Sequence, residues 1–240
     1  MKKECCCIVP FYNEKSNIIE TIKQIENIKA FDKILLINDG STDEGEQKAK
    51  EYIQKQSIKH IQIIWYTKNK GKSHAIKFAT EKANTWYIFL LDADLKNIKK
   101  EEIQETIKNM YRYPIIDMTI LRRNIAPRYV KMFARDLILS WQRIIKTKDL
   151  RKMLEENDIN GYQLEVAMNT YMNEKNKNII RQPCSLTTDF KRKKRWMVVW
   201  IKKDIKMFKD VFAYQWVIWF IRHSILFNPK SIQEYNKKNN

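Results

Sequence analysis

The sequence predicts an α/β fold with a mostly parallel central sheet, followed by a C-terminal amphipathic helical tail. Three observations carry that prediction. Short, continuous apolar runs recur at residues 5–9, 33–37, 61–66, 87–91 and 115–121, as expected of strands buried on both faces. Helical patterns stand between them, and strands alternating with helices imply right-handed βαβ units. From residue 191 the chain changes to a Lys/Arg cluster and then to aromatics at helical spacing.

Taken in order, Ser16 is the expected N-cap of a first helix, whose buried face is Ile18, Ile19, Ile22, Ile25 and Ile28. Further helices are expected after Asp43, over 73–84 and over 99–111. After Pro127 the pattern becomes mainly helical, with helices over 129–145, 148–157 and 161–173, then an extended piece over 178–182 that ends at Pro183. The chain therefore divides into a domain of residues 1–190 and a basic, aromatic-rich tail of residues 191–240.

A chain of 240 residues can bury a sizeable core as one domain with an appendage. The formal net charge of +18, from 46 Lys and Arg against 28 Asp and Glu, favours polyanions such as nucleic acid, anionic lipid or phosphorylated substrates. A general richness in Lys, Ile and Asn set by base composition explains part of that excess equally well. Cys5, Cys6 and Cys7 are consecutive and Cys184 stands alone, so metal-ligand spacing is missing. They read as small buried hydrophobes in a reducing compartment. The apolar stretch before Pro10 is too short for a signal-peptide core, so secretion is not indicated.

The chemistry gathers at strand ends, where open α/β sheets bind ligands. Val9-Pro10-Phe11-Tyr12-Asn13-Glu14 closes the first strand, Asn38-Asp39-Gly40-Ser41-Thr42-Asp43 the second, and Asp92-Ala93-Asp94 the fourth. Carboxylates and amides there suit a base and ribose. Two carboxylates one residue apart suit a hard divalent ion that shares phosphate oxygens, giving Lewis-acid help to a departing diphosphate. Gly40, Gly45 and Gly71 lie at such ends, Gly45 reading best as an ordinary turn residue.

With Asn69-Lys70-Gly71-Lys72 added, these motifs in this order resemble the family 2 glycosyltransferases of the GT-A (Rossmann-like) fold, in particular the dolichyl-phosphate mannosyltransferase-like branch, over roughly residues 4–190. The resemblance implies inverting transfer of a hexose from a nucleoside diphosphate sugar to a lipid-linked, polyprenyl-phosphate-type or cell-envelope glycan acceptor, assisted by Mg²⁺ or Mn²⁺. It assigns Pro10, Tyr12, Glu14, Ile37 and Asp39 to the nucleoside pocket. Lys72, Asp92 and Ala93 fall to the diphosphate, and Asp92 and Asp94 to the metal. Lys72 reads equally as a solvent-facing lysine at a helix start, and His74 as a cap or a solvent-facing residue.

The family commonly has an acidic residue at Asn38 and, in some relatives, a metal-binding amide at Lys96. Leu139-Ser140-Trp141-Gln142-Arg143 and Gly161-Tyr162-Gln163-Leu164-Glu165 resemble two later family elements on the acceptor side, with Trp141 in place of a glycine. Gln142 and Arg143 are the candidates there, Arg143 reading equally as a salt bridge between two helices. Glu165 is the candidate general base, or else a dipole partner at a helix N-terminus. Relatives often carry a histidine in the segment matching residues 186–189, which has none.

In the tail, Met197, Ile201, Ile205, Phe208, Phe212, Trp216 and Trp219 advance by threes and fours, one helical face. Lysines lie mostly elsewhere, so residues 191–226 are expected to lie on an anionic membrane surface, placing the protein in the cytoplasm at the inner face of the cell membrane. Packing on the domain or in a homodimer is the alternative. The apolar stretch over 211–221 is shorter than the roughly 20 residues a spanning helix needs. A soluble sugar or glycerate-like acceptor is a second expectation. A non-enzymatic nucleic-acid- or membrane-binding protein is a third, and the acidic strand ends argue against nucleic acid.

Overall fold

The structure, a computed structural model, describes residues 4–123, 140–157, 163–188, 229–231 and 234–235. The expected alternation is present: β1 (Cys5–Phe11), α1 (Ile18–Ile25), β2 (Lys33–Asp39), α2 (Gly45–Lys55), β3 (Ile61–Tyr66), α3 (Lys72–Lys82), β4 (Tyr87–Leu90), β5 (Leu95–Lys96), α4 (Lys100–Arg112) and β6 (Met118–Arg123). Then come β7 (Arg143–Lys146), α5 (Thr147–Glu156), α6 (Gln163–Glu174), β8 (Ile179–Cys184), β9 (Thr187–Thr188) and β10 (Lys230–Ser231).

One sheet runs β10-β8-β6-β7-β4-β1-β2-β3, and β5 pairs with β9 in a second. In the large sheet every pairing is parallel except those of β7, which runs antiparallel to β4 and β6. Two apolar cores cover its faces, because successive side chains of a strand alternate. Cys5, Cys7, Val9, Ile34 and Leu36 join Ile18, Ile22 and Ile25 of α1 and Ile103 and Ile107 of α4 on one face. Cys6, Ile8, Leu35 and Ile37 join Ile76 and Ala79 of α3, Leu150 and Met153 of α5 and Met168 of α6 on the other. Each Ile so placed contributes about 1.5–3 kcal/mol. The three cysteines are buried strand residues; burial raises all their thiol pKa values, that of Cys6 to about 12.

Three expectations need correction. Residues 143–145, expected in a helix over 129–145, open strand β7: Ile144 enters one core, Ile145 the other, and pairing with β4 and β6 decides the conformation. Residues 124–139 lie outside the described residues. Helix α1 begins at Ile18 after Asn17, with no side-chain cap, so Ser16 is not its N-cap. The Glu14 carbonyl instead accepts the Asn17 and Ile18 N–H groups, both at 2.9 Å. The extended piece expected to stop at Pro183 runs on to Cys184 as β8.

The described residues near the end of the chain lie against the domain. Lys230 and Ser231 add an edge strand to β8, Tyr235 packs on Tyr113 at 5.9 Å between centroids, and Glu234 lies 3.6 Å from Arg181. Lys230 and Ser231 therefore belong to the large sheet. Residues 189–228, which hold the amphipathic pattern, lie outside the described residues.

Candidate active site

The carboxyl ends of β1, β2 and β4 stand side by side, so the loops that follow them share one edge. The first two are stitched together by side chains. Asn13, at φ 56°, accepts the Thr42 N–H at 2.8 Å through Oδ1, and Asp43 accepts the Lys15 N–H at 2.9 Å. Asn38 accepts the Ser41 N–H at 2.8 Å and donates to Glu46. Tyr12 is left exposed beside this stitched turn, Ile37 lies buried beneath it, and Pro10 pairs with Ile37 in the sheet. Glu14 accepts the Asn17 side-chain amide at 2.6 Å.

Asp39 is the knot of the second loop. Its Oδ1 accepts the Tyr66 hydroxyl at 2.6 Å and the Lys70 N–H at 2.9 Å; its Oδ2 accepts the Gly71 N–H at 2.9 Å and the Asn69 amide at 3.1 Å. Four donors on a buried carboxylate satisfy it fully. They also fix the turn into α3, placing Lys72 on its first residue. Gly40, at φ +69°, makes the approach possible, since a Cβ there would lie 2.5 Å from the Asn69 nitrogen.

The end of β4 brings the expected acidic pair to the centre. Asp92 Oδ1 takes the Lys72 ammonium at 2.8 Å and Oδ2 the Gln142 amide at 2.8 Å. The Ala93 carbonyl is tied down by the Thr21 hydroxyl at 2.6 Å. Asp94 reaches solvent, yet the crowding of its carboxyl raises its pKa by desolvation, and the like charges of Asp92 and Glu14 raise it further. Those like charges form a field that a cation would relieve. Among the described residues no group of three or more His, Cys, Asp or Glu side chains is placed to hold a metal. Lys96, just beyond, pairs with Thr187 through the β5–β9 ladder, which sets the segment of residues 186–188 beside the Asp94 loop.

Lys72 is turned into this cluster and does not face solvent freely. Its ammonium also lies 3.9 Å from Glu165 Oε1 and 3.5 Å from the centroid of the Trp141 ring. Glu165, early in α6, is 4% exposed, and its Oε2 has no hydrogen-bond partner among the described residues. Burial raises its pKa, while Lys72 and Arg143 pull it back. Arg143 sits on β7 and not on a helix. Fully buried, it donates to the Ser140 carbonyl and, at 2.9 Å, to Asn169 of α6, and burial lowers its pKa to about 10. His74 neither caps nor faces solvent freely, for it packs against Tyr66 and Phe78 and its Nδ1 is buried.

The chain that builds this cluster matches a known family model over residues 6–175, that of glycosyl transferase family 2. The chain belongs to glycosyl transferase family 2. Among its relatives, the dolichol-phosphate mannosyltransferase of Pyrococcus furiosus is 32% identical over 106 residues, which are 42% of this chain and 29% of that protein. A dolichyl-phosphate beta-glucosyltransferase of Mus musculus is 24% identical over 123 residues, 47% of this chain and 38% of that one.

This family 2 chain spans less than half the length of the curated relatives it matches. Its fold is that of the glucosyl-3-phosphoglycerate synthase of Mycobacterium tuberculosis, solved with Mn²⁺, uridine diphosphate and phosphoglyceric acid. The TM-score is 0.67 at 14% identity, covering 88% of this chain and 76% of that one. The sheet is thus the GT-A sheet of the family.

Trp141 as the seat of Lys72 and Asp39 as the knot of the α3 turn are the features that motif reading misses. The Asn-Lys-Gly-Lys sequence after β3 was the available signal for the second; nothing local to Trp141 signals the first.

Proposed function

We propose that this chain is a nucleotide-sugar-dependent glycosyltransferase that moves a hexosyl group, with inversion, from a nucleoside diphosphate sugar to a lipid-linked, polyprenyl-phosphate-type or cell-envelope glycan acceptor. The observation that carries the donor half is Asp92, held between Lys72 and Gln142 at the end of β4 beside the open ends of β1 and β2. In this reading Pro10, Tyr12, Glu14 and Ile37 line the nucleoside side, with Tyr12 offering its exposed ring. Asp39 contributes by holding the loop that carries Lys72. Lys72 and the backbone around Ala93 face the diphosphate.

A divalent ion fits this donor set on the like-charge field at Asp94: Asp94 would hold it, with Asp92 joining once Lys72 lets go of Oδ1. Mg²⁺ or Mn²⁺ suits two carboxylates completed by phosphate oxygens and waters, and when bound it neutralises charge on the departing diphosphate. The chain's own residues do the rest. Glu165 presents an unpartnered carboxylate oxygen beside Lys72 and accepts the proton of an attacking hydroxyl; a phosphate nucleophile would need no such base. Gln142 orients Asp92, and Arg143, bonded to Ser140 and Asn169, braces the acceptor side.

The lipid-linked acceptor draws support from the names of the two dolichol-phosphate relatives and from the pattern of residues 191–226. A peripheral place at the inner membrane face follows from the same pattern. Among the described residues no helix is long and apolar enough to cross a membrane.

A thermal-shift panel of nucleoside diphosphates and their sugars, with and without Mg²⁺ or Mn²⁺, tests the donor site. Ligand at a hundred times its dissociation constant adds about 2.7 kcal/mol, a rise on the order of 5–10 °C for a chain of this size. One nucleotide class should give it, only with metal, and Asp94→Ala should abolish it. A flat panel sinks the assignment. With the active donor radiolabelled, product entering organic solvent supports the lipid acceptor and product staying in water replaces it with a soluble one.

A further inference from the structure

Asp92 has both oxygens engaged, and one of them is already paired with a positive charge. The Lys72 ammonium lies 2.8 Å from Oδ1 and the Gln142 amide 2.8 Å from Oδ2. A divalent ion that binds through this carboxylate must compete with a cation at the same oxygen. The ammonium is also held from two other directions, 3.5 Å from the Trp141 ring centroid and 3.9 Å from Glu165 Oε1. Trp141 is itself 2% exposed, so the indole is a fixed surface and not a mobile neighbour. A cation held against the face of a buried indole gains by cation–π attraction, more as it loses water.

We propose that Lys72, seated on the Trp141 indole, is a built-in cation that guards Asp92, so that a divalent ion reaches this carboxylate together with the donor diphosphate and not ahead of it. The inference rests on the donor-site reading above. A diphosphate brings the negative charge that draws the ammonium off Oδ1. Trp141 and Glu165, whose contacts with Lys72 do not involve Asp92, keep the ammonium within reach while it turns. Among the described residues no lysine or arginine lies within ion-pair distance of Asp94, so the guard acts on one carboxylate of the pair. Trp141 works through Lys72 and is a positioning residue.

The test is titration of the full chain with Mn²⁺ alone, and then with Mn²⁺ in the presence of UDP or GDP, read by calorimetry or by the paramagnetic signal of free Mn²⁺. Wild type should bind Mn²⁺ weakly alone and more tightly with one nucleotide. Lys72→Met removes a unit charge a few ångströms from the ion and should raise affinity for Mn²⁺ alone by roughly tenfold, while weakening nucleotide binding. Trp141→Leu should move both affinities in the same directions by less, and Trp141→Phe, which keeps an aromatic face, should stay near wild type.

The guard is refuted if wild type binds Mn²⁺ as tightly without nucleotide as with it, or if Lys72→Met leaves the affinity for Mn²⁺ alone unchanged. If Lys72→Met does not fold, Trp141→Leu against Trp141→Phe decides: equal Mn²⁺ affinities overturn the proposal. If wild type binds neither nucleotide with Mn²⁺, the donor-site reading falls and the guard with it, whereas intact nucleotide binding beside an unmoved Mn²⁺ affinity removes the guard alone.

Discussion

Two buried carboxylates of the candidate site, Asp39 and Glu165, are treated in opposite ways by the fold. Asp39 receives four donors and has no unused oxygen. Glu165 has an oxygen with no partner among the described residues, and burial raises its pKa. A saturated buried carboxylate holds structure together; an under-satisfied one costs stability and is tolerated where chemistry uses it. Under the proposed function, that contrast makes the donor side rigid and leaves the acceptor side free to react.

The sharpest way to break that contrast is Glu165→Gln. Removing a general base costs about 10²- to 10⁴-fold in rate, so kcat should fall by that order while the protein stays at least as stable as wild type. The sign follows from the raised pKa. The fold favours the protonated form of Glu165, so its contribution to stability is present below the unfolded-state value, about 4.3, and is lost as pH rises through the folded value. A permanently neutral Gln escapes that loss. In wild type the acid limb of the pH–rate profile should accordingly lie above the range of an ordinary glutamate. Full activity in Glu165→Gln, or a limb at the ordinary value, would remove Glu165 from the chemistry.

That much of the donor side was legible in the sequence has a physical cause. Its strands are continuous apolar runs and its acidic residues follow them directly, so local pattern and tertiary position coincide. Strand β7 was not legible, because four residues are too few to show a period and its conformation comes from lying between β4 and β6. The same pairing hides the next two facts. Trp141 meets Lys72, and Gln142 meets Asp92, only after the antiparallel strand has folded back across the sheet. The Ser16 cap failed for a smaller reason: Asn13 turns the chain at positive φ and the Glu14 carbonyl takes over the orphan N–H groups. The tail's return to β8 rests on a two-residue bridge that no periodicity can announce.

Asp39→Ala tests the rigid half of the comparison, with an expected loss of about 3–4 kcal/mol. Each hydrogen bond to a charged group is worth about 1.5–3 kcal/mol, and four donors on one acceptor do not add fully. Urea unfolding should show the loss in the midpoint, and donor binding should fall with it because the turn carrying Lys72 loosens. If stability drops by less than about 1 kcal/mol while donor binding vanishes, Asp39 is a ligand-contacting residue and the contrast with Glu165 is mistaken.

The smallest effect separates two glycines of the same region. Gly40 and Gly71 both have positive φ, but a Cβ on Gly40 would press on backbone of residues 68 and 69, whereas a Cβ on Gly71 would meet nothing within 4 Å. Gly71, at φ 90° and ψ 159°, lies in an extended region open essentially to glycine alone, where an L-residue costs on the order of 1–3 kcal/mol, and that strain should be the whole cost of Gly71→Ala. Gly40→Ala carries a backbone cost of the same order for its own positive φ, plus the displacement of Asn69, whose amide bonds both the Asp39 carbonyl and its carboxylate. It should lose about 1–2 kcal/mol more, since overpacking a tight contact costs about that, and it should weaken donor binding as a milder Asp39→Ala does. Equal destabilisation by the two alanines would mean that the loop over Gly40 gives way freely, and the rigidity assigned to the donor side would then rest on Asp39 alone.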